Sequence, residues 1–126
     1  MQEDGLRVGS LRVRRFRIGD YSEVRGLWMK SRLEIRPGDS EKEIRIKTGR
    51  DPDLFLVAEA GGKIVGSVIG AWDGRRGWIY HLGVLLRYRR TGVATKLVRE
   101  VERRIMKKKG VLKVNASVFS GLIACT

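Results

Sequence analysis

The stretch from Tyr80 to Ala94, YHLGVLLRYRRTGVA, joins an apolar strand to a basic loop and then to a helix. The helix has no carboxylate in its first eight residues, 92–99, while Arg87, Arg89 and Arg90 precede it. Unpaired backbone N–H groups and the positive end of the helix dipole point out of a helix start, so an anion placed there gains hydrogen bonds and a favourable field. Because the sequence supplies no counter-charge, we predict that a phosphorylated cofactor docks here.

The composition bounds the size and class of the protein. With 126 residues and 42% hydrophobic content, the chain can bury one core, so we expect a single domain over residues 1–126. No run approaches the roughly 18 apolar residues of a membrane span. Residues 1–10 are too polar for a signal peptide, so we expect a cytoplasmic protein without a membrane partner. The single cysteine, Cys125, excludes an internal disulfide, and no metal site is predicted.

The net charge of +13 is concentrated in the second part of the chain. Residues 1–73 carry 14 Lys and Arg against 12 Asp and Glu, whereas residues 74–126 carry 13 against 2. A basic field of this kind attracts nucleic acid, an anionic lipid surface or an anionic cofactor. Charge alone does not separate these partners.

Hydrophobic periodicity predicts an alternating order of strands and helices. The predicted strands cover residues 11–18, 54–58, 63–69, 78–85 and 111–118, and the predicted helices cover residues 20–31, 40–49 and 92–110. Gly61-Gly62 predicts a tight hairpin turn, and Asp20 with Glu23 predicts a capping box at the first helix. The long third helix between the last two strands predicts a crossover that makes those strands parallel.

The loop and the start of the third helix carry a motif that resembles the core motif of the GNAT-type acyl-CoA N-acyltransferases, Arg/Gln-x-x-Gly-x-Gly/Ala. In this sequence the motif is Arg89-Arg90-Thr91-Gly92-Val93-Ala94, and Leu82-Gly83-Val84 precedes it where the family usually has Leu-Ala-Val. A short glycine motif is weak on its own. Its place between an apolar strand and a long amphipathic helix strengthens it, and the resemblance spans residues 11 to 118.

The resemblance implies an α+β, GNAT-like fold with a central mixed, twisted sheet of about five strands flanked by three helices. The family continues after the strand at residues 111–118 with a fourth helix and two closing strands. Only eight residues follow that strand here, so we expect a fold that lacks the usual fourth helix and last two strands. A strand edge left open in this way predicts a homodimer or an aggregation-prone monomer.

The resemblance also implies that acetyl-CoA is the co-substrate and that the motif holds its pyrophosphate. The cofactor-binding residues implied in this way are Leu82, Val84, Arg89, Arg90, Thr91, Gly92, Val93, Ala94 and Thr95. Gly92 has no Cβ to fill the space beside the backbone, and guanidinium forks at Arg89 and Arg90 suit phosphate geometry, to which the Thr91 hydroxyl would add a donor. Taken singly, these arginines are better explained as solvated surface residues; the constellation in order favours a cofactor site.

By resemblance, the backbone of Leu82 and Val84 pairs with the pantetheine arm of the cofactor. This pairing requires the strand at residues 78–85 to splay from the strand at residues 111–118. A bulge near Gly83 would cause such a splay.

In this family an amine attacks the thioester directly, which requires a deprotonated amine, an oxyanion donor and a proton source for the thiolate. By resemblance, the oxyanion donor is the Val84 N–H. The candidate catalytic residues are His81 and Tyr80 as bases, with Glu59 on a neighbouring strand as a further candidate base, and Asn115 as a residue that orients the substrate. The imidazole of His81 suits proton transfer near neutrality, but a lone histidine in an apolar strand is more often a packed core residue. No Tyr follows Tyr88, so the family's usual acid is missing.

Three functions are compatible with these patterns. The first is N-acetyl transfer from acetyl-CoA to an amine acceptor, either a protein N-terminus, a lysine or a small amine. The second is a non-catalytic basic module that binds nucleic acid through residues 74–126, although no interleaved aromatic residues or nucleic-acid-binding motif support it. The third is a degenerate relative that binds CoA and transfers nothing.

Overall fold

The computed structural model describes residues 11–31, 37–108 and the backbone of residues 113–116. These residues form one five-stranded sheet with the strand order β1-β2-β3-β4-β5. The strands are Leu11–Arg15 (β1), Phe55–Ala60 (β2), Lys63–Trp72 (β3), Arg76–Val84 (β4) and Lys113–Ala116 (β5). The helices are Tyr21–Lys30 (α1), Glu41–Arg50 (α2) and Val93–Met106 (α3), with single 3-10 turns at Ile18–Asp20, Pro37–Asp39 and Leu86–Tyr88.

The sheet is mixed. Strands β1 to β4 follow one another as an antiparallel meander, and β5 pairs with β4 in the parallel direction. The parallel pair follows from α3, which carries the chain back along the sheet between β4 and β5. The expected α+β fold with a mixed sheet and three flanking helices is confirmed, and each predicted element is present among the described residues. The predictions about residues 117–126 lie outside them.

Both faces of the sheet are covered by apolar side chains. Successive strand residues point to opposite faces, so Leu56 packs under α3 while Phe55 and Val57 pack under α1 and α2. On the α1 and α2 side, the rings of Phe16 and Phe55 stack with their centroids 4.1 Å apart. The sheet therefore lies between two apolar clusters, one under α3 and one under α1 and α2.

Helix α3 lies directly on β3 because β3 has glycine at the crossing point. A Cβ built on Gly70 would stand 2.6 Å from Cγ2 of Val101 and 3.0 Å from Cδ1 of Ile105. Real Cβ atoms do not approach other heavy atoms so closely, so only glycine allows this spacing. The close approach fixes the position of α3, and hence of its N-terminus, relative to β3 and β4.

Helix α1 starts differently from the predicted capping box. Asp20 Oδ2 accepts the N–H of Arg17 at 2.8 Å and pairs with Arg14 at 2.9 Å. The hydrogen bond from the Arg14 guanidinium is the main cause that lowers the pKa of Asp20. The Glu23 carboxylate accepts the N–H of Ile64 at 2.8 Å. The capping-box prediction was wrong because both carboxylates bond to other elements.

Candidate active site

Strand β4 contains a β-bulge directly before Gly83. The register of β4 against β3 shifts between Ser67 and Ile69, which leaves His81 and Leu82 opposite a single residue of β3. His81 has φ +52°, in the left-handed region that the extra residue of a bulge can adopt. The bulge that the sequence predicted near Gly83 is confirmed.

After the bulge, the backbone of Val84 is directed away from β3. The N–H of Leu85 donates to the carbonyl of Val65 in β3 at 2.9 Å. Because N–H groups alternate in direction along a strand, the N–H of Val84 points to the opposite edge of β4. On that edge, β5 pairs with β4 from Arg76 to Ile79, and the Ser31 hydroxyl donates to the Val84 carbonyl at 3.4 Å. Val84 thus directs a backbone donor to the edge of β4 beyond this paired segment.

The loop between β4 and α3 is held in shape by its own hydrogen bonds. The N–H of Tyr88 donates to the carbonyl of Leu85 at 2.8 Å, and the hydroxyl of Thr91 donates to the carbonyl of Tyr88. Arg90 and Gly92 have φ +64° and +89°, and these two left-handed residues turn the chain into α3. The Thr91 hydroxyl therefore closes the loop, whereas the sequence suggested that it adds a donor for a ligand.

Helix α3 begins without an acidic or side-chain cap. Gly92 is its N-cap residue, no side chain caps it, and its first turn contains no carboxylate. The first helical hydrogen bond joins the Lys96 N–H to the Gly92 carbonyl at 3.0 Å. The N–H groups of residues 93–95 therefore have no helical acceptor, because an acceptor would lie four residues earlier, outside the helix. This geometry provides open donors at the positive end of the helix dipole.

A cavity of about 120 Å³ lies at this helix start. It is lined by Val84, Tyr88, Arg89, Arg90, Gly92, Val93, Ala94 and Thr95. Seven of the nine cofactor-binding residues suggested by the sequence are thus brought together around one cavity, and Leu82 and Thr91 are not in its lining. A Cβ built on Gly92 would meet no heavy atom within 4 Å, so the space beside this residue is open.

Tyr88 is a lining residue that the predicted set did not contain. Its side chain is 8% exposed, and the Arg87 guanidinium lies 5.8 Å from the centroid of its ring. The sequence signal that could have identified Tyr88 is its position, directly before Arg89, the first residue of the motif. Tyr88 therefore adds a buried aromatic side chain to the cavity lining beside Arg89 and Arg90.

His81 is buried at the bulge and is 6% exposed. Its Nε2 atom lies 2.9 Å from Oδ1 of Asp39. Its ring meets the rings of Trp28 and Tyr80 edge to face, with centroids 5.1 Å and 5.4 Å away. These contacts tie the 3-10 turn before α2 to the centre of β4. They match the packed histidine that the sequence left open as the alternative to a catalytic base.

Tyr80 precedes His81 and packs against the α1 and α2 side of the core. Burial, followed by the negative charges of Asp39 and Asp51, raises the pKa of Tyr80 to about 12. The phenol therefore keeps its proton near neutral pH, where it can donate a hydrogen bond or a proton.

Two other candidates lie away from this strand segment. Glu59 is on β2, which β3 separates from β4, and its carboxylate lies 3.4 Å from the Arg14 guanidinium. The prediction that Glu59 lies on a strand next to the cleft was therefore wrong. The backbone of Asn115 pairs with Trp78, six residues before Val84 in β4. At the usual rise per residue, this spacing is roughly 20 Å of strand.

The described residues show no metal-binding cluster. No group of three or more His, Cys, Asp or Glu side chains among them is placed to hold a metal ion. Each helix in this part of the chain is too short or too polar to cross a lipid bilayer. Cys125 lies outside the described residues.

Known proteins have similar sequences and the same fold. A sequence model of the acetyltransferase (GNAT) family matches residues 21–122. An acetyltransferase of Sodalis glossinidius is 43% identical over 109 residues, which cover 86% of this chain and 75% of that protein. Ard1 from Thermoplasma volcanium superimposes with a TM-score of 0.72 at 23% identity, covering 83% of this chain and 69% of Ard1.

A solved structure with a bound cofactor has the same fold. The PaiA N-acetyltransferase from Thermoplasma acidophilum, in complex with coenzyme A, superimposes with a TM-score of 0.66 at 16% identity, covering 78% of this chain and 73% of that chain. The family model covers most of this chain, and the sequence relative is well above 30% identical. The protein therefore belongs to the GNAT family of acetyltransferases, and it is an acyltransferase.

Proposed function

We propose that the protein transfers the acetyl group of acetyl-CoA to an amine. The observation that carries this proposal is the position of Val84, whose N–H points out of the edge of β4 and whose residue also lines the cavity at the start of α3. A diphosphate in the cavity and a carbonyl group at Val84 would belong to the same extended ligand. Family membership supports an acyl-CoA donor, and the coenzyme A complex of PaiA supports CoA as its carrier.

The cavity suits the diphosphate of CoA in charge and in shape. The N–H groups of residues 93–95 supply donors without helical acceptors, and Arg89 and Arg90 supply positive charge beside them. The left-handed φ of +89° at Gly92 turns the backbone so that no side chain covers the donors. In this proposal, Thr91 holds the loop closed and does not contact the phosphates.

The Val84 N–H suits the thioester carbonyl. A backbone donor in a fixed strand needs no reorganisation when negative charge develops on the carbonyl oxygen. The segment from Leu82 to Val84 would also pair with the pantetheine arm as an added strand. The bulge at His81 supports this role because a bulge bends its strand, and it follows the β4 residues whose pairing with β5 is described, Arg76 to Ile79.

The transfer moves one proton from the amine and one to the thiolate. The amine nitrogen forms a bond to the carbonyl carbon, the C–S bond breaks, the nitrogen loses a proton, and the CoA thiolate gains one. Tyr80 is the candidate donor to the thiolate because it lies on β4 four residues before Val84 and carries a phenol proton at neutral pH. The contacts of His81 with Asp39 and Trp28 support a positioning role for the imidazole. Asn115 has no role in this proposal because its backbone pairs with Trp78, roughly 20 Å along β4 from Val84.

The acceptor, the compartment and the assembly belong to the proposal as well. The acceptor is an amine, either a protein N-terminus, a lysine or a small amine, and the proposed compartment is the cytoplasm. Homodimer formation is a separate proposal that sedimentation velocity tests across a concentration series. A single species with the mass of the monomer at all concentrations would contradict the dimer.

The activity is tested by following CoA thiol release from acetyl-CoA with a panel of peptides, lysine derivatives and small amines. Wild-type protein should release thiol in proportion to an acetylated amine detected by mass spectrometry. The Gly92→Glu variant should lose this activity because the new carboxylate projects into the open space at the helix start and repels the phosphates.

Gly74→Glu is the matched control. Gly74 also has a positive φ, +100°, and open space beside its Cα, but it lies in the turn between β3 and β4. The same substitution therefore adds the same charge and similar backbone strain away from the cavity. The proposed activity would be contradicted if thiol release stayed at the uncatalysed level with every amine while CoA still bound. The protein would then bind CoA without transferring an acetyl group.

A further inference from the structure

A row of cations runs along one exposed side of α3. It consists of Lys96, Arg99 and Arg103 on the helix and Lys107 at its C-terminal cap. Positions three and four apart lie on the same side of a helix, about 4.5 to 6 Å apart along its axis. We call these four residues the basic row.

A groove of about 830 Å³ separates the basic row from the edge strand β1. Leu11 and Arg12 line its β1 wall, and Lys96, Arg99 and Arg103 line its α3 wall. The groove thus has cationic residues in both walls, and the apolar residues Leu11 and Val13 flank Arg12 in the β1 wall. This arrangement suits an extended anionic ligand better than a single compact anion.

The groove continues into the cavities at both ends of α3. It shares Gly92 and Thr95 with the cavity at the helix start. At the other end it shares Arg103 and Arg104 with a cavity of about 280 Å³. The groove and the two cavities therefore adjoin one another along α3.

Few carboxylates compensate this surface. Among the described residues that line the groove, Glu100 is the one acidic residue against five cations, and it pairs with Arg103 at 2.5 Å and Arg104 at 2.8 Å. Among the described residues, no ion pair involves Lys96, Arg99 or Lys107. These three charges are available to a partner, in addition to Arg89 and Arg90 at the helix start.

We propose that the groove between β1 and α3, together with the basic row, binds the sugar-phosphate backbone of a single-stranded nucleic acid. A polynucleotide carries one charge at every residue, so a row of cations repeated about once per helical turn can be neutralised along its length. Guanidinium groups at Arg12 and Arg99 match phosphate oxygens in two-point contacts.

The expected binding is independent of base sequence. The groove-lining residues that the structure describes include no aromatic side chain on which a base could stack, so phosphate contacts dominate. A single strand can enter the groove and contact both walls, whereas a duplex would contact only the basic row. We therefore expect a single strand to bind more tightly than a duplex of the same length.

The test uses fluorescence anisotropy with a labelled single-stranded oligonucleotide of about 16 nucleotides. For four contacts, from Arg12, Lys96, Arg99 and Lys107, the logarithm of affinity should fall with the logarithm of salt concentration with a slope of about −2.8. In the variant that combines Arg12→Gln, Arg99→Gln and Lys107→Gln, one contact remains, from Lys96, and the slope should be about −0.7.

A variant with Arg25→Gln, Lys42→Gln and Arg75→Gln is the control, because it removes the same charge from exposed positions elsewhere. It should keep a slope near that of the wild type. Calorimetry should show that both triple variants bind CoA as the wild type does, which separates this surface from the cofactor cavity. Equal losses in the two variants, or no binding by the wild type at about 50 mM salt, would overturn the proposal.

Two competitors distinguish other anionic ligands. A saturating concentration of CoA should leave the oligonucleotide bound, and its displacement by CoA would assign the groove to the cofactor's own phosphates. Polyglutamate of matched charge should compete weakly because carboxylates lack the phosphate geometry. Competition as strong as that of an unlabelled oligonucleotide would assign the surface to an acidic protein instead.

Discussion

Cγ1 of Val93 lies 2.9 Å from the point where a Cβ atom on Gly66 would stand. Val93 is the first residue of α3, and Gly66 lies on β3 opposite Val84. The missing side chain at position 66 therefore sets how closely the helix start approaches the strand edge. The same contact that packs the core thus places the open N–H groups of α3 next to the Val84 backbone.

We predict that Gly66→Ala and Gly70→Ala each lower the free energy of unfolding by about 1–3 kcal/mol. The new methyl groups would meet Val93 and Val101, which are short, buried side chains that cannot turn aside. Chemical denaturation measures the change. Gly26→Ala is the control, because a Cβ there meets nothing within 4 Å inside α1. It should stabilise the protein by about 0.5–1 kcal/mol, and destabilisation by all three substitutions alike would contradict the packing account.

Asp39→Asn should lower the free energy of unfolding by about 1–3 kcal/mol. The substitution keeps the shape of the side chain but removes the negative charge that lies 2.9 Å from His81 Nε2 in a buried contact. Asp53→Asn is the control, since its pair with Lys108 is more exposed, with 36% and 25% of the side chains accessible. Its cost should stay below about 1 kcal/mol. Equal losses of stability in Asp39→Asn and Asp53→Asn would show that the buried contact with His81 stabilises the fold no more than an exposed ion pair does.

Alkaline pH should weaken the fold through Tyr80. The pKa of Tyr80 is raised from 10.0 to about 12 in the folded protein, so the unfolded chain loses this proton first. The contribution is present below pH 10.0 and is lost as the pH rises toward 12. Wild-type stability should therefore fall more steeply over that interval than the stability of Tyr80→Phe. Parallel pH profiles of the two proteins would show that the tyrosine is not shifted.

Tyr80→Phe should lower kcat by about 100-fold or more and leave KM for acetyl-CoA nearly unchanged. The phenylalanine keeps the ring that packs beside His81, so the fold and the cofactor cavity are preserved while the proton is lost. Steady-state kinetics with the best amine acceptor measures both constants. An unchanged kcat would transfer the acid role to solvent or to another group.

Much of the fold could be predicted from local patterns. The helical period of Val93, Leu97, Val101 and Ile105 predicts the buried face of α3, and these four residues are buried. The glycine pair at positions 61 and 62 predicts the hairpin between β2 and β3, and both residues have positive φ. Such features depend on residues close together in sequence, which is why the sequence specifies them.

The partners of charged side chains could not be predicted in the same way. Glu23 accepts a hydrogen bond from Ile64, 41 residues away, instead of capping its own helix. His81 meets Asp39 from a turn before α2. Glu59 is predicted to lie next to the cleft, but β3 separates its strand from β4. The order of strands in a sheet is a property of the whole meander, and a local pattern does not contain it. These contacts depend on tertiary packing, which single-sequence periodicity does not encode.

The candidate cofactor site could be predicted in part from the sequence. The motif from Arg89 to Ala94 is contiguous, so its residues reach one cavity once the loop and helix form. The donors that matter are backbone groups, which a sequence shows only indirectly through the glycine and the missing carboxylates. The role of Thr91 in closing the loop depends on the position of the Tyr88 carbonyl, and this could be seen only in the folded chain.

The central claim is that the backbone at the start of α3 holds a diphosphate, and calorimetric titration with CoA tests it most directly. Wild-type protein and Gly74→Glu should bind CoA with the same affinity, while Gly92→Glu should show a loss of 100-fold or more, about 2.7 kcal/mol. Thermal unfolding should show that both variants remain folded. Equal CoA affinity for Gly92→Glu and Gly74→Glu would contradict the claim and, with it, the proposed acetyl transfer.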